Sequence, residues 1–507
     1  MNKKIFTIQE IKNEEIEILT YGHFNSLHPG HIRYLEYARS KGKNVSLALM
    51  GDGKQYGKKK FNFTQRERVQ SLVHLPLIDK IILLEDEELY ELVKLTNPKT
   101  LILGKEYEDN YEKNTDINLK KAVNFLKNKN KEVFFHSGDI NYASTELLTN
   151  SEQDLGIKRK EQFKQACRRC NIDENDILNS MKKWKKARIL VIGDLILDQY
   201  AACEAMGMSA EAPVLVVKEL KCRNFVGGAG IVAQHINSLG AKCDFVSVIG
   251  SDENADILKR ELSFQGMNFN LIVDETRPTT FKKRYLVENQ KLFRVSKLED
   301  HSLSKSKEKE LIEKIREFAK YATGIVISDF LYGVITPNVL RQITTIAKNY
   351  NLPIFGDLQC STQLGSVLKF NNFTLLCPNE KEARIAIKDR ELSLEVLSRE
   401  LIKKTNSRNL VMKLGAKGFI SYGVNKKGEI FSQAFPALVA NPIDVTGAGD
   451  SLLAVMAIGL SIRENIFCTS AIACCQAALA VKSMGNVPIQ FNDLKNEIIK
   501  IMDIKNV

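Results

Sequence analysis

Short apolar runs alternate with amphipathic stretches along most of the chain. Ile16–Tyr21 (IEILTY) reads as a buried strand, Ile32–Ser40 as a helix with Ile32, Leu35 and Ala38 at helical spacing, and Val45–Met50 as the next strand. A helix over Arg66–Leu75, a strand over Ile78–Leu84, a helix over Glu88–Leu95 and a strand over Thr100–Leu103 continue the pattern. It resumes after residue 187 with apolar runs that end in polar groups: Arg188–Ile192, Ile325–Asp329, Pro353–Asp357, Leu375–Asn379 and Leu410–Leu414. Strands alternating with helices predict α/β folds whose parallel sheets are covered on both faces. Ligands of such sheets sit at the carboxyl ends of the strands. Residues 276–295 instead alternate apolar and basic, the pattern of a small lid sheet. Residues 151–186 are charged and weakly periodic. They read as linker helices, with Trp184 packing across the joint. The expected division is 1–150, a helical linker 151–186, and 187–507.

A chain of 507 residues has room for more than one core. Its composition, 44% hydrophobic and 26% charged, is that of ordinary globular domains. No run approaches a membrane span, and the first residues lack a signal-peptide pattern, so a cytoplasmic protein without membrane contact is expected. The ten cysteines are scattered, and Cys167-Arg-Arg-Cys170 has no second pair, which points to reduced thiols rather than zinc. The net charge of +12 is spread over short basic runs. Phosphorylated small molecules account for it without nucleic acid, for which no module is evident.

Four stretches carry candidate chemistry. Thr446-Gly447-Ala448-Gly449-Asp450 is a glycine-rich turn opening onto an apolar helix. Amides at such a helix start attract an anion, and Asp450 could take a proton from a hydroxyl. A glycine turn with an Asp cap would give the same letters. His28-Pro29-Gly30-His31 follows the first strand, where two imidazoles three apart can face one phosphate and neutralise charge as pyrophosphate leaves. Asp194 and Asp198, four apart after Arg188–Ile192, could hold sugar hydroxyls or serve as a turn and a cap. Asn379 and Glu382, three apart at a helix start, suit a hydrated Mg²⁺ near phosphates.

Roughly Ile16 to Leu148 resembles the nucleotidylyltransferase superfamily with an H-x-G-H signature, in its cytidylyltransferase and heptose 1-phosphate adenylyltransferase branch. The resemblance implies a Rossmann-like domain whose nucleotide site uses Gly22, Phe24, His28, His31, Asp52, Arg68, Ser144 and Thr145, with His28 and His31 catalytic. Departures are Asn25 and His23 in the G-x-F-x motif, Leu103 at the usual Lys with Lys105 nearby, and Ala143 at the first hydroxyl of S-T-T. They leave the base open, ATP or CTP.

The blocks VIGDLILDQY, SAEAPVLVVKE, FVGGAG, RPTTFKKRYLVENQKLFRV, VISDF, CPNEKEA and DVTGAGDS resemble, in order, the ribokinase-like (PfkB) sugar kinases, nearest the kinase half of a bifunctional heptose kinase/adenylyltransferase. This implies a ribokinase-like α/β domain with a β lid, Asp450 as base and Gly447, Ala448 and Gly449 as anion hole. It further implies ATP against Asn379, Lys413, Gly415 and Gly418, Mg²⁺ organised by Asn379 and Glu382, and sugar against Asp194, Asp198, Gly227, Gly228, Arg284 and Asp450. Assembly as a homodimer is expected by the same analogy. Ile231, Tyr332 and Gln359 stand where that branch has Asn, Lys and Lys. Either the sugar differs, or its phosphate is held by Arg277, Lys282, Lys283 or Arg284. The domain order is the reverse of that branch, which puts its kinase first. Two readings stay open: a bifunctional enzyme of activated-sugar synthesis, or an active transferase fused to a non-catalytic or differently specific sugar-binding module.

Overall fold

The computed structural model describes residues 4–11, 14–24, 29–52, 63–85, 88–104, 107, 116–136, 152–212, 214–264, 266–288, 290–359, 365–425 and 427–502. The chain forms two compact units, residues 1–150 with 387–400, and residues 151–386 with 401–507.

The first unit is built on a six-stranded sheet of β1 (Ile5–Thr7), β2 (Ile18–Gly22), β3 (Val45–Leu49), β4 (Lys80–Leu83), β5 (Thr100–Gly104) and β6 (Glu132–His136), in the order β1-β4-β3-β2-β5-β6. All its neighbours run parallel. The apolar runs read from the sequence become its fully buried central strands, because both faces are covered: one by Leu92, Val93, Leu119 and Val123, the other by Leu35, Ala38, Val69 and Leu72. The helices Pro29–Lys41, Gln65–Leu72 and Leu89–Thr96 fall where the 3.6-residue spacing predicts them.

In the second unit β7 (Arg188–Gly193), β10 (Lys242–Ile249), β11 (Asn268–Val273), β14 (Gly324–Asp329), β15 (Ile354–Leu358), β16 (Leu375–Leu376), β17 (Asn409–Lys413), β18 (Phe419–Val424) and β19 (Ile430–Phe435) form one nine-stranded sheet. Its order is β11-β10-β7-β14-β15-β16-β17-β18-β19, parallel up to β17 and antiparallel beyond. A second sheet of four strands, β13 (Gln290–Lys297), β12 (Phe281–Val287), β8 (Leu195–Met208) and β9 (Leu215–Gly228), is the lid. The sequence reading recovers β12 and β13 but ends its strand at Ile192 and reads Asp194 and Asp198 as sugar ligands or as a turn and a cap. Only Asp194 separates β7 from β8, and Asp198 lies within a strand of 14 residues.

Residues 151–186 also differ from a linker. The helices Glu152–Arg169 and Glu174–Lys183 bury Phe163, Cys167, Ile177 and Met181 in the core of the second unit. Trp184 is fully buried there, edge-on to Phe491 with ring centroids 6.2 Å apart. Burying these side chains contributes roughly 1.5–3 kcal/mol each, so the segment is a wall of that unit. No described helix is long and apolar enough to cross a membrane.

Candidate functional site

The carboxyl ends of β14, β15 and β17 meet the lid around a cavity of about 580 Å³. The helix Ala448–Ser461 points its start at this space, with Gly447 as the residue before it at φ 77°. Only glycine takes that conformation without strain, and an added Cβ would also overlap Asn486 Oδ1. The turn therefore brings its backbone close to whatever fills the cavity. Asp450, in the first turn of this helix, lines the space and is 6% exposed. Burial, then the charge of Asp357, push its carboxyl up to about 7 against the pull of Lys413. Gln359, just past β15, donates Nε2–H to Asp450 Oδ1 at 3.1 Å.

Asp198 stands on the lid side of the same cavity. It is ion-paired with Arg284 of β12, and its Oδ2 accepts from Asn486 Nδ2 at 3.1 Å. Gly227 is required beside it, since a Cβ there would overlap Asp198 Oδ2. Gly228, Arg284, Lys282 and Arg294 also line the cavity. Lys282 is buried with its ammonium 5.0 Å from the rings of Phe330 and of Tyr332. Of the other cations considered for an acceptor phosphate, Arg277 is consumed by Asp274, the carbonyl of Tyr332 and His301, and Lys283 by Glu219.

Asp194 does not line the cavity. It is buried beneath the turn after β14, where its Oδ2 accepts the amides of Phe330 at 2.7 Å and Tyr332 at 3.4 Å. Burial, then the charge of Asp329, raise its carboxyl to about 7. Asp194 Oδ2 thus fixes the turn. Ile231 is fully buried in its helix and away from the cavity lining.

At the other end of the space, Asn379 and Glu382 line the wall and cap the helix Glu380–Ile387 reciprocally. The Asn379 amide donates to Glu382 Oε2 at 2.8 Å, and the Glu382 amide to Asn379 Oδ1 at 2.9 Å. No described cluster of three or more His, Cys, Asp or Glu could cage a metal. A carboxylate and an amide oxygen on the cavity wall fit the way Mg²⁺ is held through water and substrate phosphates instead. Lys413 also reaches this wall, with Nζ 2.7 Å from Asp357 Oδ2. Burial opposes its charge, but Asp357 and Glu382 hold it above the ordinary lysine value. Gly415 and Gly418 border the cavity in the short turn between β17 and β18.

In the first unit, β2 ends at Gly22, and Phe24 stacks near His31 with ring centroids 4.6 Å apart. His28, Ser144 and Thr145 lie outside the described residues, as do Asn25, Lys105 and Ala143. Arg68 is buried and binds the carbonyls of His23, Met50 (3.0 Å) and Gly51 (3.3 Å), with Nη2 2.6 Å from Asp52 Oδ1. Asp52 also accepts the Gln65 amide at 2.8 Å. Both side chains tie the loops after β2 and β3 to the helix Gln65–Leu72.

The sequence reading misses Asn486 and the pair Lys291–Asp444. Nothing marks Asn486 except a Gly-Asn turn, and Asp444 reads as one more polar residue before the glycine turn.

Residues 186–489 match the pfkB family carbohydrate kinases, and residues 19–152 match the cytidylyltransferase-like family. The chain is 33% identical over 313 residues to the bifunctional protein HldE of Campylobacter jejuni, covering 62% of this chain and 65% of that one. It is 33% identical over 301 residues to the HldE of Geobacter sulfurreducens, covering 58% and 60%. The matched part thus spans less than two thirds of these relatives. Among solved structures, Escherichia coli phosphofructokinase-2 superposes with a TM-score of 0.51 at 17% identity, over 62% of this chain and 98% of that chain, a likeness of fold. The chain belongs to the pfkB family of carbohydrate kinases and joins to its kinase domain an N-terminal, cytidylyltransferase-like domain of the nucleotidyltransferase type.

Proposed function

We propose that the chain catalyses two steps of nucleotide-activated sugar synthesis, with residues 1–150 as nucleotidylyltransferase, 151–186 as the helices leading into the kinase, and 187–507 as sugar kinase. In the kinase step the γ-phosphoryl group of ATP passes to a hydroxyl of a sugar or sugar phosphate of the heptose 7-phosphate type. The observation that carries this reading is the meeting of Asp450 with the Gly447–Gly449 turn in one cavity, opposite Asp198 and Arg284 and beside Asn379 and Glu382. Asp198 and Asn486 orient acceptor hydroxyls. Asp450 takes the proton from the attacking hydroxyl, for which a carboxyl held up to about 7 is suited at neutral pH. The amides of the turn bind the transferring phosphoryl oxygens, and the helix behind them adds its positive end. Mg²⁺, near Asn379 and Glu382, would neutralise the phosphate charge.

In the transferase step, His28 and His31 neutralise the α-phosphate of ATP or CTP while a sugar phosphate attacks and pyrophosphate leaves. The 33% identity with proteins named bifunctional supports pairing the two steps. Replacing Asp450 with Asn abolishes sugar-dependent ADP formation and spares pyrophosphate release, and His28→Ala does the converse. Survival of both activities in either variant overturns the assignment. Sugar-dependent ATP turnover by the wild type excludes a non-catalytic kinase half.

A further inference from the structure

We propose that Gln359 is the positioning residue for the base Asp450, and that its neutral amide, standing where a cation would pair with the carboxylate, sets the pH range over which that base works. This rests on the kinase reading above.

The geometry is specific. Gln359 follows β15, and its backbone amide donates to the Asp329 carbonyl at 2.9 Å, which fixes the start of its side chain. Its Nε2 lies 3.1 Å from Asp450 Oδ1, and both residues line the cavity. No other described residue hydrogen-bonds the Asp450 carboxyl, so Oδ1 is held by the amide and Oδ2 is left for a hydroxyl. The charged groups facing Asp450 are Asp357 from β15, Lys413 from β17, Asp198 from β8 and Lys282 from β12. Lys413 is committed to Asp357, and Lys282 lies between two aromatic rings. The carboxyl therefore has an amide and no cation as its direct partner. An ammonium in the same position would favour the carboxylate and weaken it as a base. A carboxylate there would do the opposite.

The test is a pair of substitutions of opposite sign, Gln359→Lys and Gln359→Glu, read as the pH dependence of kcat/KM for sugar phosphorylation. The acid limb reports protonation of the free enzyme's base. It is expected to move down by at least one pH unit in the Lys variant and up by at least one in the Glu variant, with KM for ATP within about twofold of wild type. A merely structural glutamine gives no opposite shifts. A second readout needs no turnover: the difference in Tm between each protein and its own Asp450→Asn counterpart, followed from pH 5 to 9. A carboxyl raised in the folded state costs stability as pH climbs from its unfolded value through its folded one. The Tm gain from Asp450→Asn should therefore level off at lower pH and be smaller in the Lys variant, and level off at higher pH and be larger in the Glu variant. Coincident rate and Tm profiles in all three proteins overturn the proposal. Opposite Tm shifts without ADP formation from any sugar leave the Gln359–Asp450 relation standing and remove the kinase reading.

Discussion

Lys291 of the lid strand β13 holds its Nζ 2.6 Å from Oδ1 of Asp444, two residues before the first residue of the glycine-rich turn at Thr446. The same ammonium reaches Thr446 Oγ1 at 3.0 Å. Asp444 also accepts from Tyr200 Oη at 2.7 Å, the Thr446 amide at 3.0 Å and the Gly485 amide at 3.1 Å. The lid and the glycine-rich turn thus share one buried carboxylate. Burial alone would raise it, yet Lys291, the Thr446 amide and Tyr200 pull it down to about 2.

Lys291→Met should leave that carboxylate buried without its cation. The cost is about 1–3 kcal/mol, below the value for a fully buried pair because the lysine side chain is 38% exposed. The folded-state value is depressed, so the stabilisation is present above the unfolded carboxyl range near 4 and fades as pH falls from there toward 2. Scanning calorimetry should show wild type and Lys291→Met far apart at pH 7 and converging below pH 4. Kinase kcat should fall by about tenfold or more while pyrophosphate release is unchanged. Equal Tm values at pH 7 would count against the latch.

Gly447 tests the turn itself. Gly447→Ala meets a positive φ of 77° and an overlap with Asn486 Oδ1. The conformational part costs roughly 1–2 kcal/mol. The larger effect is expected on kcat, since a shift of the turn misplaces its amides against the transferring phosphoryl group; a fall of about 10²-fold is on the scale of losing one such donor. Asn486→Ala relieves the overlap, so the double variant should recover part of the stability lost by Gly447→Ala. Recovery of Tm without recovery of kcat would place Asn486 in acceptor binding as well, through its bond to Asp198.

Much of this architecture is legible along the chain, and the limits have physical causes. β2, β3, β5, β7, β14 and β17 declare themselves because strands buried on both faces are continuous apolar runs. The turn at Gly447 and the cap at Asn379/Glu382 are local and therefore visible. Lys291 and Asp444 are 153 residues apart, and Asn486 and Asp198 are 288 apart. No spacing rule links such pairs, since only the topology of the lid brings them together. The strand β8 is missed because Asp194 and Asp198 look like turn residues, whereas one is a buried anchor for backbone amides and the other is neutralised by Arg284. Residues 151–186 read as a linker because their buried side chains are few per turn and set among lysines.

Arg68 illustrates the same limit in the first unit and carries its own prediction. By motif it is a phosphate ligand, but its guanidinium is buried among the carbonyls of His23, Met50 and Gly51 and the carboxylate of Asp52. Arg68→Met removes the donors from these acceptors and should destabilise the first unit by about 1–3 kcal/mol, below the value for a fully buried pair because the Asp52 side chain is 48% exposed. The expected result is loss of pyrophosphate release together with a lowered melting transition, with sugar-dependent ADP formation retained. Loss of transferase activity with an unchanged melting profile would instead favour direct contact with the nucleotide.

The lid makes the last prediction. Among the described residues its sheet leaves β13 and β9 as unpaired edges. Met206, Leu220, Phe293 and Val295 on its strands are each more than half exposed, and every residue of β13 is exposed. Exposed apolar side chains on a sheet with open strand edges favour association. A second copy of the lid is the simplest occupant, because a two-fold contact buries the same patch on both chains. Light scattering on the purified protein should give about twice the chain mass of 57.3 kDa. Phe293→Lys, which adds like charge across such a two-fold contact, should shift the mass toward one chain and leave the melting of the first unit unchanged. A wild-type protein of single-chain mass at micromolar concentration would rule out the homodimer.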